Sequence, residues 1–464
     1  MRTLLQNLRG LMRSSRRTAG LLILLAAITG GAAASVPASQ AYAQDRDTTF
    51  IRDTEIENTI RYYLQRIYEA AGVDSSAVSI HLIRDNQLNA FVAGGQRIFI
   101  YTGLLTRADN PGQVIGVLAH ELGHITGGHL SKFRDTLENS QAMAIAGMLL
   151  GLGGAILTGD GQAYAAGASL GQQIGTRNFL QYSRANEQAA DQAAMTFLDE
   201  AGMSSKGMLE FMTILHDQSK LYSEGANPYT RTHPLTEDRI AFIKHHVEES
   251  KLSDVPLPPE FDLIHQRMRA KLIGYITPQQ ALKTYPESDK SDPARYARSI
   301  AYMELFKVDE SLAEIDALLA EHPDDPFYHE TKGDILQRAH RVEEAADSYR
   351  AAIKVLPWAA LIRTSLARVL LETGNPDYIQ EALDNANVAL GYEPDLTSAW
   401  SLKGQAHERR GETGMAYLTQ AEIAIRRGDK PQAKAQAKRA MELLPEGSAS
   451  WIQAQDITYR ADDQ

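Results

Sequence analysis

The chain has 464 residues, of which 44% are hydrophobic and 23% charged, with a formal net charge of −11 and no cysteine. That length allows two or three domains with at least one well-buried core. The lack of cysteine excludes thiol nucleophiles, thiolate metal ligands, disulfides and a cysteine-anchored lipid, so any metal must sit on histidine and carboxylate.

The first 43 residues read as a targeting segment. Arg2, Arg9, Arg13, Arg16 and Arg17 precede an apolar run, Ala19 to Ile28, and a small-residue stretch ends at Ala41-Tyr42-Ala43. This order predicts a signal peptide over 1–43, a mature start at Gln44 and a periplasmic location. Removing those five arginines leaves 42 basic against 58 acidic residues, a net charge of −16. Such a surface repels nucleic-acid phosphates and anionic headgroups, which excludes nucleic acid as a main partner.

From Thr49 to Val73, apolar residues at Ile56, Ile60, Tyr63, Leu64 and Ile67 predict a helix. Val78 to Ile83 alternates like a strand. Asn89 to Tyr101 holds two strand-like runs around Gly94-Gly95, which predicts a β-hairpin. A helix is expected from Pro111 to Leu130. Residues 142–175 are rich in Ala and Gly and nearly uncharged, and they predict a buried hairpin or a flap at a cleft or membrane surface. Helices are expected over Arg184–Glu200 and from Gly202 to Lys220. Leu252 to Pro259 reads as a linker, which we extend over 252–290.

Beyond it, prolines that close helices recur at Pro323, Pro357, Pro394 and Pro445. In the frame ending at Pro357, Gly333, Ala345, Tyr349 and Ala352 fall where a tetratricopeptide repeat wants small, small, aromatic and small residues. Ala382, Ala386 and Ala389, then Ala433, Ala437 and Ala440, repeat the small positions. Small residues let paired helices approach, and stacking buries a face that one unit cannot bury alone. A repeat domain over 291–464 is expected.

Residues 119–130 read A-H-E-L-G-H-I-T-G-G-H-L, with His120, Glu121 and His124 fitting H-E-x-x-H. Four residues apart on a helix, both imidazoles project from one face and can share an ion. Glu121 lies about 100° round from His120, within reach of a metal-bound water. A third histidine ten residues after His120 would complete one known pattern, but that position is Leu130. His129 falls off the metal face unless the helix breaks at Gly127-Gly128, and it is read as a polar helix-end residue. Downstream, Glu187 and Asp191 stand one turn apart. Spacing alone does not distinguish them from a pair of solvated acids.

H-E-L-G-H, then Ser183-Arg184-x-x-Glu187-x-x-Ala190-Asp191, then Arg231-Thr232-His233-Pro234, resembles the HtpX/CAAX-endopeptidase superfamily of zinc peptidases. The resemblance implies a zincin-like (gluzincin) domain, mostly α with a small sheet, over 44–251, and one Zn²⁺ per chain. Glu187 maps onto the third zinc ligand. Asp191 maps onto a residue assigned there as proton donor; physically it could equally orient a ligand histidine. The hairpin at Asn89-Ala90-Phe91-Val92 resembles the family's edge strand, a docking rail for an extended peptide. His233 maps onto a removable fourth ligand in the branch that adds C-terminal tetratricopeptide repeats. Ala189 departs from relatives that carry a second glutamate there.

The expected function is therefore a periplasmic zinc endopeptidase. Its substrates, by resemblance, are misassembled outer-membrane β-barrel proteins, its partner is the barrel-assembly machinery, and peripheral membrane contact is allowed. The alternatives are a chaperone or scaffold whose zinc site is latent, and an integral-membrane peptidase that uses 142–175 as a span.

Overall fold

The computed structural model describes residues 50–129, 184–221, 229 and 233–462. The expected signal peptide and the 142–175 segment lie outside the described residues. Helix α1 (Thr54–Ala71) starts where the Asp53 side chain accepts from the Ile56 amide. Its periodic apolar positions, Ile56, Ile60, Tyr63, Leu64 and Ile67, are all buried in the first core.

Strands β1 (Phe50–Ile51), β2 (Ser79–Ile83), β3 (Ala90–Ala93) and β4 (Arg97–Tyr101) form one sheet in the order β1-β2-β4-β3. The expected hairpin forms, with β3 antiparallel to β4 and Ala93 opposite Arg97. Strand β2 pairs with β4 in parallel. Among the described residues, β3 is therefore an edge strand. The Tyr101 amide donates to the Asn89 carbonyl at 3.0 Å. By antiparallel alternation, residues 89, 91 and 93 bond inward to β4, and Ala90 and Val92 turn their backbone groups away from the sheet.

Helix α2 (Thr102–Arg107) leads into α3 (Pro111–Thr126), where Asn110 caps the start and Pro111 takes the first turn. α3 is the central element. It packs on α1, on edge strand β3, on α4 (Arg184–Glu200) and on α5 (Lys206–Leu221). A Cβ at Gly123 would meet the Ala190 carbonyl oxygen at 2.8 Å, so only glycine lets α4 come this close to the histidines. α3 stops at Gly127, earlier than the expected Leu130, because Gly128 takes a φ of 60° and turns the chain out of the helix.

After α6 (Glu237–Glu249), the stretch expected to be a linker, 252–290, holds two helices instead, α7 (Pro259–Ile276) and α8 (Pro278–Thr284). Phe261, Met268 and Leu272 of α7 belong to the first core, so this helix is an integral wall of the amino-terminal domain. The prolines that read as a linker, Pro258 and Pro259, form the N-terminus of α7.

Ten helices follow: α9 (Asp292–Glu304), α10 (Val308–Glu321), α11 (Pro326–Arg338), α12 (Val342–Val355), α13 (Ala360–Glu372), α14 (Ile379–Tyr392), α15 (Thr397–Arg409), α16 (Thr413–Arg426), α17 (Lys430–Leu443) and α18 (Ala449–Asp462). Each packs on the next in sequence, as in a helical solenoid. A Cβ at Gly333 would meet the Tyr349 ring at 2.7 Å, which accounts for the glycine–tyrosine pairing within that repeat. The alanines at 382, 386, 389, 433, 437 and 440 are all buried.

Helix α7 ties the two parts together through buried charge. Lys271 Nζ lies 2.7 Å from Asp53 and 3.2 Å from Glu55 of α1, and 3.8 Å from Glu330 of α11. Arg267 pairs with Glu55 and bonds Asp325 at 2.6 Å, and Tyr296 donates to Glu55 at 2.8 Å. Among the described residues, no helix is long and apolar enough to cross a membrane.

Candidate metal centre

Helix α3 delivers His120 and His124 one turn apart on one face, and α4 delivers Glu187 against them. Their donor atoms converge. His120 Nε2 lies 3.1 Å from His124 Nε2 and 3.4 Å from a Glu187 oxygen, and His124 Nε2 lies 3.4 Å from the other. His233 adds a fourth donor, with Nδ1 at 3.4 Å from both His120 Nε2 and Glu187. Tetrahedral donors with bonds of ~2.0–2.1 Å stand about 3.3 Å apart, so the four are spaced to share one ion. All four residues are buried.

The chemistry of the donor set agrees. Behind His120, Nδ1 lies 2.9 Å from Asp191 Oδ1, which places the ring proton there and leaves the Nε2 lone pair facing the cluster. Nδ1 of His124 lies 2.9 Å from Nδ1 of His129, and its Nε2 likewise faces the cluster. Two imidazole lone pairs 3.1 Å apart repel unless a cation stands between them. Without a metal that cation is a proton. Burial opposes charge on His120, but Asp191 and Glu187 overcome it and push the group up to about 9. His124 goes the other way, held well below the ordinary histidine range by burial and by the charge of His120 and His233. Burial also resists ionisation of Glu187, yet His233 and His120 pull it below the usual carboxylate range.

Sequence reasoning missed Arg239, 48 residues beyond Asp191 on α6. Its Nε donates to Asp191 Oδ2 at 2.7 Å and Nη2 to Oδ1 at 2.9 Å. Nη1 reaches Glu187 at 2.8 Å and the Pro234 carbonyl at 2.9 Å. One fully buried guanidinium thus fixes both carboxylates and the segment carrying His233. Asp191 lies behind His120, with its oxygens in contact with His120 and Arg239. Of the two readings of this residue, these contacts suit the one that orients a ligand histidine. No signal in the sequence marks Arg239, because its partners come from another helix.

Glu121 is buried, and its Oε1 lies 3.4 Å from His233 Nε2. Burial raises its pKa, against the pull of His233 and His120. The Tyr229 ring packs 4.7 Å from that of His233, and the His233 amide donates to the Tyr229 carbonyl at 2.7 Å. His129 does not join the cluster. The helix break turns it back behind His124.

Edge strand β3, with Ala90, Phe91 and Val92, packs against α3 and so runs beside the helix that carries the histidines. Asn89 just precedes it and is buried.

Residues 54–247 match the family model described as Peptidase family M48. The Beta-barrel assembly-enhancing protease of Escherichia coli (strain K12) is 26% identical over 366 residues, covering 77% of this chain and 72% of its own length. The Putative beta-barrel assembly-enhancing protease of Vibrio cholerae is 25% identical over 381 residues, 80% of this chain and 77% of its own. The Mitochondrial metalloendopeptidase OMA1 of Schizosaccharomyces pombe is 26% identical over 193 residues, 41% of this chain and 52% of its own. Residues 54–247 thus match peptidase family M48, and the chain is a metalloprotease in which that region precedes a stack of sequentially packed helices.

Proposed function

We propose that the chain is a zinc-dependent endopeptidase of the periplasm that cleaves misassembled proteins of the outer membrane. The observation that carries this reading is the convergence of four buried donor atoms beside a buried glutamate. His120, His124 and Glu187 would hold one zinc. A bound zinc supplies a Lewis acid that polarises the scissile carbonyl and lowers the pKa of a water towards ~7. Glu121 would take a proton from the attacking water and return it to the leaving amine, a task that its burial-raised basicity suits. Asp191 and Arg239 act through the ligands, by holding the His120 ring and the Glu187 carboxylate in place.

An extended substrate segment pairs with the outward backbone groups of Ala90 and Val92 on β3. Unassembled β-barrel chains expose strand edges of this kind, which fits the resemblance to a protease named for enhancing β-barrel assembly. The barrel-assembly machinery is the matching partner, and the repeats are the surface that recruits or screens clients. His233 would add a fourth donor to a bound zinc and lies 3.4 Å from Glu121, which supports a latent resting enzyme. That same observation favours a second reading, a chaperone or scaffold that seldom cleaves.

Casein cleavage by the wild type, Glu121→Gln and His233→Ala tests the reading. Glu121→Gln should lose cleavage by at least 100-fold with its zinc content intact, and His233→Ala should cleave faster than the wild type. Full cleavage by Glu121→Gln would refute the peptidase assignment. Unchanged cleavage by His233→Ala would remove latency.

A further inference from the structure

His129 lies outside the cluster of donor atoms, yet the chain is shaped to bring its ring to one of them. Its Nδ1 stands 2.9 Å from Nδ1 of His124, and both side chains are buried. The placement depends on two glycines. Gly128 takes a φ of 60°, which turns the chain back at the end of α3. A Cβ at Gly127 would meet ring carbons Cδ2 and Cε1 of His129 at 2.8 Å, so any side chain there displaces the imidazole. A helix continued through these residues would carry His129 away from His124 altogether.

The consequence is chemical. For His124 to offer Nε2 to the cluster, its proton must sit on Nδ1 and needs an acceptor. His129 Nδ1 stands 2.9 Å from that nitrogen and accepts when His129 carries its own proton on Nε2. His120 meets the same need with a carboxylate, Asp191. The two ligand histidines are thus backed differently, one by a carboxylate and one by a second imidazole.

We propose that His129 is a positioning residue for the metal, which fixes the tautomer and orientation of His124 through the Gly127-Gly128 turn. It touches neither substrate nor the reacting atoms. The proposal rests on the reading of the cluster as a zinc site.

Zinc affinity, measured by chelator competition on purified full-length chain, tests it alongside thermal unfolding of the metal-free protein. His129→Phe keeps the ring volume and removes the acceptor, and should weaken zinc binding by about 10- to 100-fold. His129→Asn places an oxygen near the lost nitrogen and should recover part of that loss. Gly127→Ala should weaken binding similarly, and should add nothing to His129→Ala, because both break the same contact. Zinc affinity in His129→Phe equal to that of the wild type would overturn the proposal, whatever happens to metal-free stability. No recovery in His129→Asn, or full additivity of Gly127→Ala with His129→Ala, would also overturn it. Absence of zinc binding by the wild type would sink the site reading itself, a different outcome from tight binding by every variant.

Discussion

Replacing Arg239 with methionine removes a cation that fixes both carboxylates of the centre. The guanidinium is 2% exposed and makes four contacts of 2.7–2.9 Å: two to Asp191, one to Glu187 and one to the Pro234 carbonyl. Asp191 is completely buried, and burial works against its charge while Arg239 and His120 hold it ionised. Breaking a buried pair by deleting one partner costs about 3–5 kcal/mol, since the remaining charge has no water to fall back on. That is a large share of the ~5–15 kcal/mol that holds a domain folded. The probe matters. The three tryptophans, Trp358, Trp400 and Trp451, all lie in the repeats, so their fluorescence reads the centre only indirectly. Amide hydrogen exchange in α3 and α4 of the metal-free protein reads the loss directly, and protection there should drop by at least 100-fold. Arg239→Lys should recover little, because one ammonium cannot fork across Asp191 and still reach Glu187 and Pro234. Protection within fivefold of the wild type in Arg239→Met would refute the reasoning.

Two further outcomes follow from charge. In the metal-free chain the His120 pKa is raised to about 9 from an ordinary ~6.5, so its contribution is fully present below about pH 6.5 and is lost as pH rises through 9. The wild type should therefore lose its stability advantage over His120→Asn, on the order of 3 kcal/mol, between pH 6.5 and 9.5 in urea unfolding with chelator; a pH-independent difference would contradict it. At the junction, Lys271→Met removes the buried ammonium that lies 2.7, 3.2 and 3.8 Å from Asp53, Glu55 and Glu330. It should cost about 3–5 kcal/mol, lowering protection in α1 and α11 together. A loss confined to one side would show that α7 does not couple them.

Local pattern carried most of the fold. The spacing of Ile56, Ile60 and Leu64, the alternation around Gly94-Gly95, and the H-E-x-x-H turn are short-range signals, and each forms the element it suggests. Recurring alanines marked the repeats for the same reason. What stayed hidden is long-range or masked by polar residues. Helix α7 carries Arg267, Lys271 and His265, residues that read as surface, yet Lys271 and His265 are buried against distant partners. With two prolines at its start, it passed for a linker. Arg239 lies 48 residues from its partner, and only the packing of α6 on α4 brings them together. His129 was set aside as a ligand on spacing; the break at Gly127-Gly128 that returns it to His124 depends on backbone geometry that spacing does not report.

Metal content by elemental analysis, on protein purified without chelator, tests the central claim most directly. The wild type and Glu121→Gln should each carry one zinc per chain, because Glu121 is not a donor, and Glu187→Ala should carry close to none. A metal-free wild type, or a Glu187→Ala chain that holds its zinc as tightly as the wild type, would contradict the account.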